Sequence, residues 1–230
     1  MGTNVPLSMI SQLKQFLMCG RYTISTSQEI LEDRFQAKFL EDSKYEPRYN
    51  AAPSQILPVI LNTEPGHIEM ARWGIMPVWW TRKDGLINVR AETLIEKHTF
   101  KKDLESRRCL VLADGFYEWQ KTKEGKQPYR FIRKDKEPFA FAGIWETNTF
   151  DGEKINTFSI ITTTPNEVTK QVHGRMPVIL SPQEEMKWLE GGGVELLNPF
   201  PAEEMETYKV GSTLNSPMKD SATLIEPMAL

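Results

Sequence analysis

The sequence predicts an α+β protein: a single compact domain with a mainly antiparallel, barrel-like sheet and a few flanking helices. Strand-like segments dominate the second half of the chain, where short turns such as KTKEGKQP and FDGEK separate them. The few helical patterns do not alternate with the strands, which disfavours a parallel βαβ sheet. No internal repeat or linker divides the 230 residues, a length that suits one domain with a substantial core.

The helices are predicted from apolar periodicity and from end signals. STSQEILEDRFQAKFLED has apolar residues at helical spacing after residues that can cap a helix. AETLIEKHTFKKDLESRR is predicted as a second helix, and PNEVTKQV as a short one with Pro165 in its first turn. PQEEMKWLEGGG is predicted as a helix that glycines stop, and the tail STLNSPMKDSATLIEP as mostly loop.

The strands are predicted from runs of β-branched, aromatic and other apolar residues between turn signals. These runs are ILPVIL, IEMARWGI, CLVLADGFYEW, QPYRFIRK, EPFAFAGIWE and INTFSIITTT. PRYNAAPS is predicted as a loop, because Pro47 and Pro53 lie at its two ends.

Composition limits the classes of protein that fit. A formal net charge of −3, with 40% hydrophobic and 26% charged residues, is typical of a soluble globular chain. Any nucleic acid must therefore bind a local basic patch. Two cysteines, Cys19 and Cys109, do not make a disulfide framework and indicate a reducing compartment. No apolar run approaches the roughly 20 residues of a membrane helix, so we expect a cytoplasmic protein with no membrane partner.

Metal and cofactor motifs are absent from the sequence. The three histidines and two cysteines lack metal-ligand spacing, and there is no GxGxxG, P-loop, HExxH or GxSxG motif. We therefore predict neither a metal nor a cofactor. Cys109, inside RRCLVLADG, is most simply a buried core residue.

Four polar segments are costly for a fold to maintain and are candidates for chemistry: MCGRYT, INVRAET, ADGFYEW and HGRMP. If INVRAET is extended, Asn88, Arg90 and Glu92 share one face of the strand. A solvated strand edge is the more common outcome of such a pattern.

Glu118 and His173 each allow two interpretations. Glu118 stands between Tyr117 and Trp119, and partial removal from water raises the pKa of a carboxyl group toward a useful acid–base range. An exposed glutamate on the outer face of a strand is an equally good interpretation. His173 follows a short helical pattern. A lone histidine is more often structural than catalytic, although its pKa suits proton transfer near neutral pH.

The four segments belong to a longer ordered series that resembles one protein family. In chain order the series is MCGRYT, PRYNAAPS, RWGIMPVWW, INVRAET, LVLADGFYEW, FAGIWE, FSIITTTPN, HGRMPVIL and LNSP. The chain resembles SOS response-associated peptidase (SRAP) domain proteins, the family of abasic-site DNA–protein crosslinkers. The resemblance covers roughly residues 18 to 227 and is specific, because so many ordered matches do not arise by accident.

The resemblance implies a compact α+β fold with a barrel-like core, a groove for single-stranded DNA and an amino-terminal cysteine that bonds covalently to an abasic site. By motif match, Cys19 is the nucleophile, and Asn88, Glu118 and His173 complete the site. The implied DNA-binding residues are Arg21, Arg48, Asn50, Pro53, Trp79, Trp80, Arg90 and Trp119. Arginines suit phosphates, tryptophan faces suit bases, and Pro53 suits an apolar wedge beside the lesion. Core packing is the alternative for each tryptophan, and we expect at least one to be buried.

Proteins of this family begin MCGR, whereas 17 residues precede Met18 here. With Cys19 inside the chain, its nitrogen is an amide and cannot form the crosslink. Met18 is the true start, the leader is cleaved, or this copy is inactive. We favour the first explanation, because methionine aminopeptidase readily removes Met before a small residue. The predicted organisation is therefore an extension over residues 1–17 and an SRAP domain over residues 18–230.

The predicted function is that of an abasic-site sensor in the DNA damage (SOS) response. It binds single-stranded DNA and protects the lesion through a covalent thiazolidine crosslink, a lyase-like activity. We expect a cytoplasmic monomer, associated with the nucleoid when bound to DNA. The alternatives are a cysteine-type peptidase that uses Cys19 with His173 and Glu118, and a non-enzymatic binder of single strands.

Overall fold

Two sheets contain most of the strands in the computed structural model. The structure describes residues 19–76, 85–96, 101–150 and 152–228, apart from the side chains of residues 101–103. No helix in this part of the chain is long and apolar enough to cross a membrane.

The described residues form fourteen strands and four α-helices. The strands are β1 Tyr22–Ile24, β2 Lys38–Phe39, β3 Arg48–Ala51, β4 Ile56–Leu61, β5 His67–Trp73, β6 Asn88–Arg90, β7 Arg108–Ala113, β8 Gly115–Thr122, β9 Gly125–Arg133, β10 Phe139–Phe150, β11 Glu153–Thr163, β12 Met176–Pro177, β13 Ile179–Leu180 and β14 Met205–Lys209. The α-helices are α1 Gln28–Phe35, α2 Ala91–Glu96, α3 Lys101–Ser106 and α4 Pro182–Leu189. Short 3₁₀ helices cover Thr169–Gln171, Val194–Leu196, Ala202–Glu204, Ser212–Asn215 and Ala222–Ile225.

Five strands of the larger sheet close into a barrel. They pair in the order β11, β10, β7, β4 and β5, and each of these pairings is antiparallel. A short parallel pairing of β11 with β5, in which Phe158 is opposite Trp73, completes the ring. Closure pairs the strand edges that an open sheet leaves exposed. The predicted α+β domain with a mainly antiparallel, barrel-like sheet is confirmed.

The barrel interior is filled largely by apolar side chains. Trp73 and Phe158 stack with ring centroids 6.3 Å apart, and the Trp73 indole Nε1 donates to the Ile87 carbonyl at 2.9 Å. Cys109 is fully buried in this core, as predicted. The Trp188 indole, also fully buried, donates to the Cys109 carbonyl at 3.1 Å, so both of these buried indoles have a partner for their N–H group.

Gly143 on β10 shows how closely the barrel wall is packed. A Cβ at this position would lie 2.7 Å from the Cys109 Sγ and 3.1 Å from the Ser159 carbonyl oxygen. We expect Gly143→Ala to lower the free energy of unfolding by about 1–3 kcal/mol, because an overpacked wall must shift. Urea unfolding measures this. Gly66→Ala, where no atom lies within 4 Å of the new Cβ, is the control and should have little effect.

The smaller sheet packs on the barrel and carries the amino-terminal end of the described chain. Its strand order is β14, β9, β8, β1 and β3. Phe116 on β8 stacks on Phe131 at 4.9 Å and meets the barrel residue Phe141 edge-on at 6.2 Å. These aromatic contacts fix β8, and with it Glu118, against one side of the barrel.

Two of the predicted elements are wrong. PRYNAAPS contains a strand, β3, which pairs with β1 between the two prolines rather than forming a loop. PNEVTKQV forms only the 3₁₀ turn Thr169–Gln171. There the Asn166 side-chain oxygen accepts from the Thr169 N–H at 2.9 Å, the bond of an N-cap residue, but the helical turn ends at Gln171.

Other predicted elements have the right type and different ends. The first helix ends at Phe35, because Gln36 takes a left-handed φ of 50°, and the rest of that segment includes β2. The strand CLVLADGFYEW is divided into β7 and β8 at Asp114. The second helical segment forms α2 and α3, and residues 97–100 between them lie outside the described residues. The helix Pro182–Leu189 is confirmed, with Ser181 and Glu184 forming a capping box.

Candidate active site

Four side chains from distant parts of the sequence meet beside the start of β1. The Cys19 backbone nitrogen donates to Glu118 Oε1 at 2.7 Å. The Asn88 side-chain nitrogen donates to the Cys19 carbonyl oxygen at 3.3 Å. His173 Nδ1 lies 3.8 Å from the same Glu118 oxygen. The structure thus brings together the residues that were predicted as catalytic, whose chemical roles stay predictions.

Strand pairing explains why these residues meet. On β8, Glu118 lies two residues after Phe116 and therefore on the same face of the strand. The Tyr117 N–H donates to the Arg21 carbonyl at 3.0 Å, which holds the segment before β1 against β8. Asn88 is placed by the parallel pairing of β6 with β11, in which it is opposite Ile160. His173 precedes β12, which pairs with the end of the same strand β11.

Glu118 is a buried carboxyl group. Only 3% of the residue is exposed, so of the two interpretations of the sequence the structure favours the desolvated one. Burial raises the pKa of Glu118 above its ordinary value. His173 and the hydrogen bonds from Cys19 act in the opposite direction, but burial has the larger effect. The group is therefore suited to exchange a proton nearer neutral pH than an exposed glutamate.

The Cys19 thiol is held in its neutral form. Burial, followed by the charge of Glu118 and a hydrogen bond to it, raises the pKa of the thiol well above its ordinary value, and Arg175 acts weakly in the opposite direction. Catalytic cysteines of peptidases need a thiolate, which a neighbouring carboxylate disfavours. The surroundings of Cys19 therefore disfavour a thiolate at this position.

The backbone of Arg175 orients the His173 ring. His173 Nδ1 lies 3.2 Å from the Arg175 N–H and 3.4 Å from the Arg175 carbonyl oxygen. A neutral ring can accept at Nδ1 from the N–H, and a protonated ring can donate there to the carbonyl. The Arg175 backbone therefore offers both a donor and an acceptor to this ring nitrogen.

Sequence reasoning missed a charged pair at the edge of the site. The Arg175 guanidinium donates to both oxygens of Glu92, at 2.6 and 2.9 Å, and to the Thr162 carbonyl at 2.7 Å. This pair lowers the pKa of Glu92. The prediction that INVRAET is extended is wrong at Glu92, because α2 begins at Ala91. The available sequence signal was Arg175, a basic residue two positions after His173. The spacing of residues along the chain could not identify Glu92 as its partner.

Three of the predicted DNA-binding residues, Arg21, Arg48 and Asn50, lie just before β1 or on β3 of the smaller sheet. Arg21 Nη1 donates to Asn50 Oδ1 at 2.8 Å and to the Leu214 carbonyl at 3.2 Å. Asn50 is fully buried, so in this structure its amide positions Arg21 and does not itself reach the surface. Arg48 pairs with Asp220 at 3.2 Å.

The remaining predicted DNA-binding residues occupy different positions. Arg90 is exposed at the end of β6, and Pro53 lies half-buried in the turn after β3. Trp119 is half-buried, and its Nε1 donates to Asn215 Oδ1 at 2.7 Å. Trp79 and Trp80 lie outside the described residues. Among the residues that are described, no group of three or more histidine, cysteine, aspartate or glutamate side chains could hold a metal ion.

The structure contains a barrel flanked by a second sheet, and a cluster of cysteine, glutamate, asparagine and histidine lies at the start of β1. These features are the ones expected from the family that the sequence resembles. The family model for SOS response associated peptidase (SRAP) matches residues 18–217. The chain belongs to this family.

Named relatives align along nearly the whole chain. Abasic site processing protein YoqW of Bacillus subtilis is 43% identical over 222 residues, which cover 91% of this chain and 99% of that protein. Abasic site processing protein YedK of Escherichia coli is 30% identical over 223 residues, with 92% and 100% of the two chains covered. Abasic site processing protein HMCES of Gallus gallus is 31% identical over 267 residues, with 93% and 79% covered. A crystal structure of a Bacteroides thetaiotaomicron protein superposes with a TM-score of 0.80 at 27% identity, and covers 92% of this chain and 100% of that one.

Proposed function

We propose that this protein processes abasic sites in single-stranded DNA by covalent capture, through a thiazolidine formed at Cys19. The observation that carries the proposal is the 2.7 Å hydrogen bond from the Cys19 nitrogen to the buried Glu118 carboxyl group. The names of the relatives, which are abasic site processing proteins, support the processing of abasic sites.

The proposal requires that Cys19 be the first residue of the working protein. A free α-amine has a pKa of about 7.7–8.0 and is partly neutral at physiological pH, whereas a peptide nitrogen is not nucleophilic. The family match begins at Met18, which supports Met18 as the start and its removal as the step that frees the amine. Residues 1–17 are then an extension that the working protein lacks.

The reaction uses both polar groups of one residue. The opened sugar of an abasic site presents an aldehyde, and the Cys19 amine adds to its carbon to give a carbinolamine. Loss of water gives an imine. The thiol then adds across the imine, with sulfur bonding to carbon and its proton going to nitrogen, which closes a five-membered thiazolidine. In the overall reaction, one aldehyde and one aminothiol are consumed, and one thiazolidine and one molecule of water are formed.

The neighbouring groups have separate roles in this scheme. Glu118 takes the proton from the Cys19 ammonium and returns it to the hydroxyl group that leaves as water. His173 exchanges a proton with the sugar oxygen, and Asn88 holds the Cys19 carbonyl so that the amine keeps its near-attack position. Arg21, Arg48 and Arg90 bind phosphates.

The bases and the lesion have their own contacts. Trp79, Trp80 and Trp119 provide faces on which bases stack, and Pro53 lies beside the lesion as an apolar wedge. The adduct protects the lesion during the DNA damage response.

The experiment compares two forms of the protein that begins at Cys19: one with a free α-amine and one in which that amine is acetylated. Each is incubated with an abasic single-stranded oligonucleotide and separated on a denaturing gel. We expect a denaturant-stable adduct from the free form and none from the acetylated form. Absence of an adduct from the free form would overturn the proposal.

The same pair of proteins tests the peptidase alternative. A peptidase thiol needs no free α-amine, so acetylation would leave proteolysis intact. Adduct formation by both forms would likewise contradict the thiazolidine, since an acylated nitrogen cannot form the imine.

A further inference from the structure

One segment near the carboxyl terminus contacts most of the described residues that were predicted to bind DNA. We call residues 214–220 the strap. It begins in the 3₁₀ helix Ser212–Asn215 and crosses the outer side of β3. Its bonds to the rest of the protein come from both its backbone and its side chains.

The backbone of the strap fixes Arg21. The Leu214 carbonyl accepts from Arg21 Nη1 at 3.2 Å. The buried amide of Asn50, which also accepts from Arg21, donates to the carbonyls of Ser216 and Lys219 at 3.0 and 2.7 Å. Arg21 and the strap are therefore joined through one saturated asparagine, and neither can move without breaking buried hydrogen bonds.

Two side chains of the strap bond two further predicted contact residues. Asn215 Oδ1 accepts from the Trp119 indole nitrogen at 2.7 Å, which fixes the plane of a half-buried ring. Asp220 Oδ1 accepts from the backbone N–H groups of Tyr49 and Asn50, at 2.7 and 3.1 Å. Its other oxygen pairs with Arg48 at 3.2 Å.

We propose that the strap is a positioning element of the DNA-binding surface, in which Asn215 orients Trp119 for stacking and Asp220 restrains and partly neutralises Arg48. The inference rests on the proposed function. The inference goes beyond that function in one respect: residues that do not themselves contact DNA set the affinity for single-stranded DNA. Asn215 and Asp220 are positioning residues with effects of opposite sign, because one supports a stacking ring and the other opposes a phosphate-binding charge.

Asn215→Ala should weaken binding of an undamaged, fluorescently labelled single-stranded oligonucleotide. A stacked base contributes about 1–3 kcal/mol, so a misaligned ring should raise the Kd about fivefold, which corresponds to the lower end of that range. The effect should be smaller on the rate of adduct formation at saturating abasic DNA, since Asn215 does not contact the reacting groups. Asn198→Ala, which removes an exposed asparagine bonded only to the Glu195 carbonyl among the contacts described, is the matched control and should bind like wild type.

Asp220→Asn should act in the other direction. The amide oxygen can still accept from the backbone of β3, whereas the nearer carboxylate beside Arg48 loses its charge and only the exposed Glu46, at 3.5 Å, still pairs with Arg48. We expect tighter binding of the same oligonucleotide and a steeper salt dependence, by about 0.7 in the slope of log K against log salt for one added phosphate contact on a single strand. A merely structural role would give weaker binding for both variants.

The outcomes separate the two proposals. If wild type binds and captures DNA but Asn215→Ala binds equally well, or both variants bind more weakly, the strap proposal is overturned and the proposed function stands. If wild type binds undamaged single strands without forming an adduct, covalent capture fails while the variants still test the strap. If wild type binds no single-stranded DNA, both proposals fail.

Discussion

Replacement of Glu118 by glutamine should slow adduct formation by about 10²–10⁴-fold, the usual contribution of a positioned general acid–base group. Gln keeps an amide oxygen that can accept from the Cys19 nitrogen, so the geometry at 2.7 Å can persist. It cannot take the ammonium proton or return it to the departing hydroxyl. The loss should therefore appear in the rate of capture and not in the binding of undamaged single strands.

The pH dependence gives a sharper form of this prediction. In wild type the active pair holds one proton between the Cys19 amine and Glu118, and capture fails when a second proton binds. That happens as the pH falls through the pKa of Glu118, which burial raises and the adjacent Cys19 ammonium lowers. In Glu118→Gln no carboxylate can take the proton, so the rate should fall already below the ordinary amine pKa of about 7.7–8.0. The acid limb of the profile thus moves to higher pH in the variant.

The measurement is a time course of adduct on denaturing gels between about pH 5 and 9, the range that spans both groups. Glu124→Gln, in the exposed turn of the same β8–β9 hairpin, is the matched control and should react like wild type. A Glu118→Gln rate within threefold of wild type, or an acid limb at the same pH, would show that Glu118 does not carry the proton.

The thermal stability of Glu118→Gln provides a second control. Because the folded-state pKa of Glu118 is raised, its protonated form favours the folded protein, and that contribution is lost as the pH rises through the folded pKa. At neutral pH the wild type contains a carboxylate that is costly to bury but that pairs with the Cys19 ammonium, so glutamine removes both the cost and the pairing. Because these two effects oppose each other, we expect the Tm of Glu118→Gln to stay close to that of wild type at pH 7, so that a slow rate cannot be attributed to unfolding.

The fold could be predicted largely from local patterns. Strands such as β4 and β10 are continuous apolar runs between turn signals, and the antiparallel pairings β4–β5 and β10–β11 follow from the short turns that join them. The closure of the barrel is different, because it depends on a parallel pairing between Trp73 and Phe158, residues far apart in the sequence. β3 was mistaken for a loop because its edge is satisfied by Asp220, a side chain 170 residues away from Asn50.

The candidate site was predictable only in part, and for a physical reason. Glu118 could be suspected from its aromatic neighbours, but its burial depends on the barrel beneath β8. The four predicted catalytic residues were joined by family resemblance, since nothing in their spacing brings them together. Arg175 and Glu92, like Asn215 and Trp119, meet across the fold at 2.6 and 2.7 Å. Side-chain pairs between distant segments leave no periodic signal in a single sequence.

The second large effect, on the stability of the fold, is expected at Asp114, which lies between β7 and β8. Its Oδ2 accepts from the backbone N–H of Thr26 at 2.9 Å, and from both backbone and hydroxyl of Ser25. Its Oδ1 pairs with Arg130 at 3.3 Å, and both side chains are less than one-tenth exposed. Asp114→Ala should lower the free energy of unfolding by about 3–5 kcal/mol, because it leaves a buried guanidinium without its counter-charge. Urea unfolding at neutral pH measures the loss.

Two further variants show whether the unpaired charge is the cause. Asp114→Ala combined with Arg130→Met should recover part of the lost stability, because the double variant buries no unpaired charge. Asp33→Ala, an exposed aspartate on α1, should change the free energy of unfolding by no more than about 0.5 kcal/mol. A loss below about 1 kcal/mol for Asp114→Ala would contradict the prediction, since that is less than a buried ion pair loses when broken. The Asp114 N–H also donates to the Thr23 carbonyl at 2.8 Å, so this junction holds β1, and with it the Cys19 nitrogen, against the strand that carries Glu118.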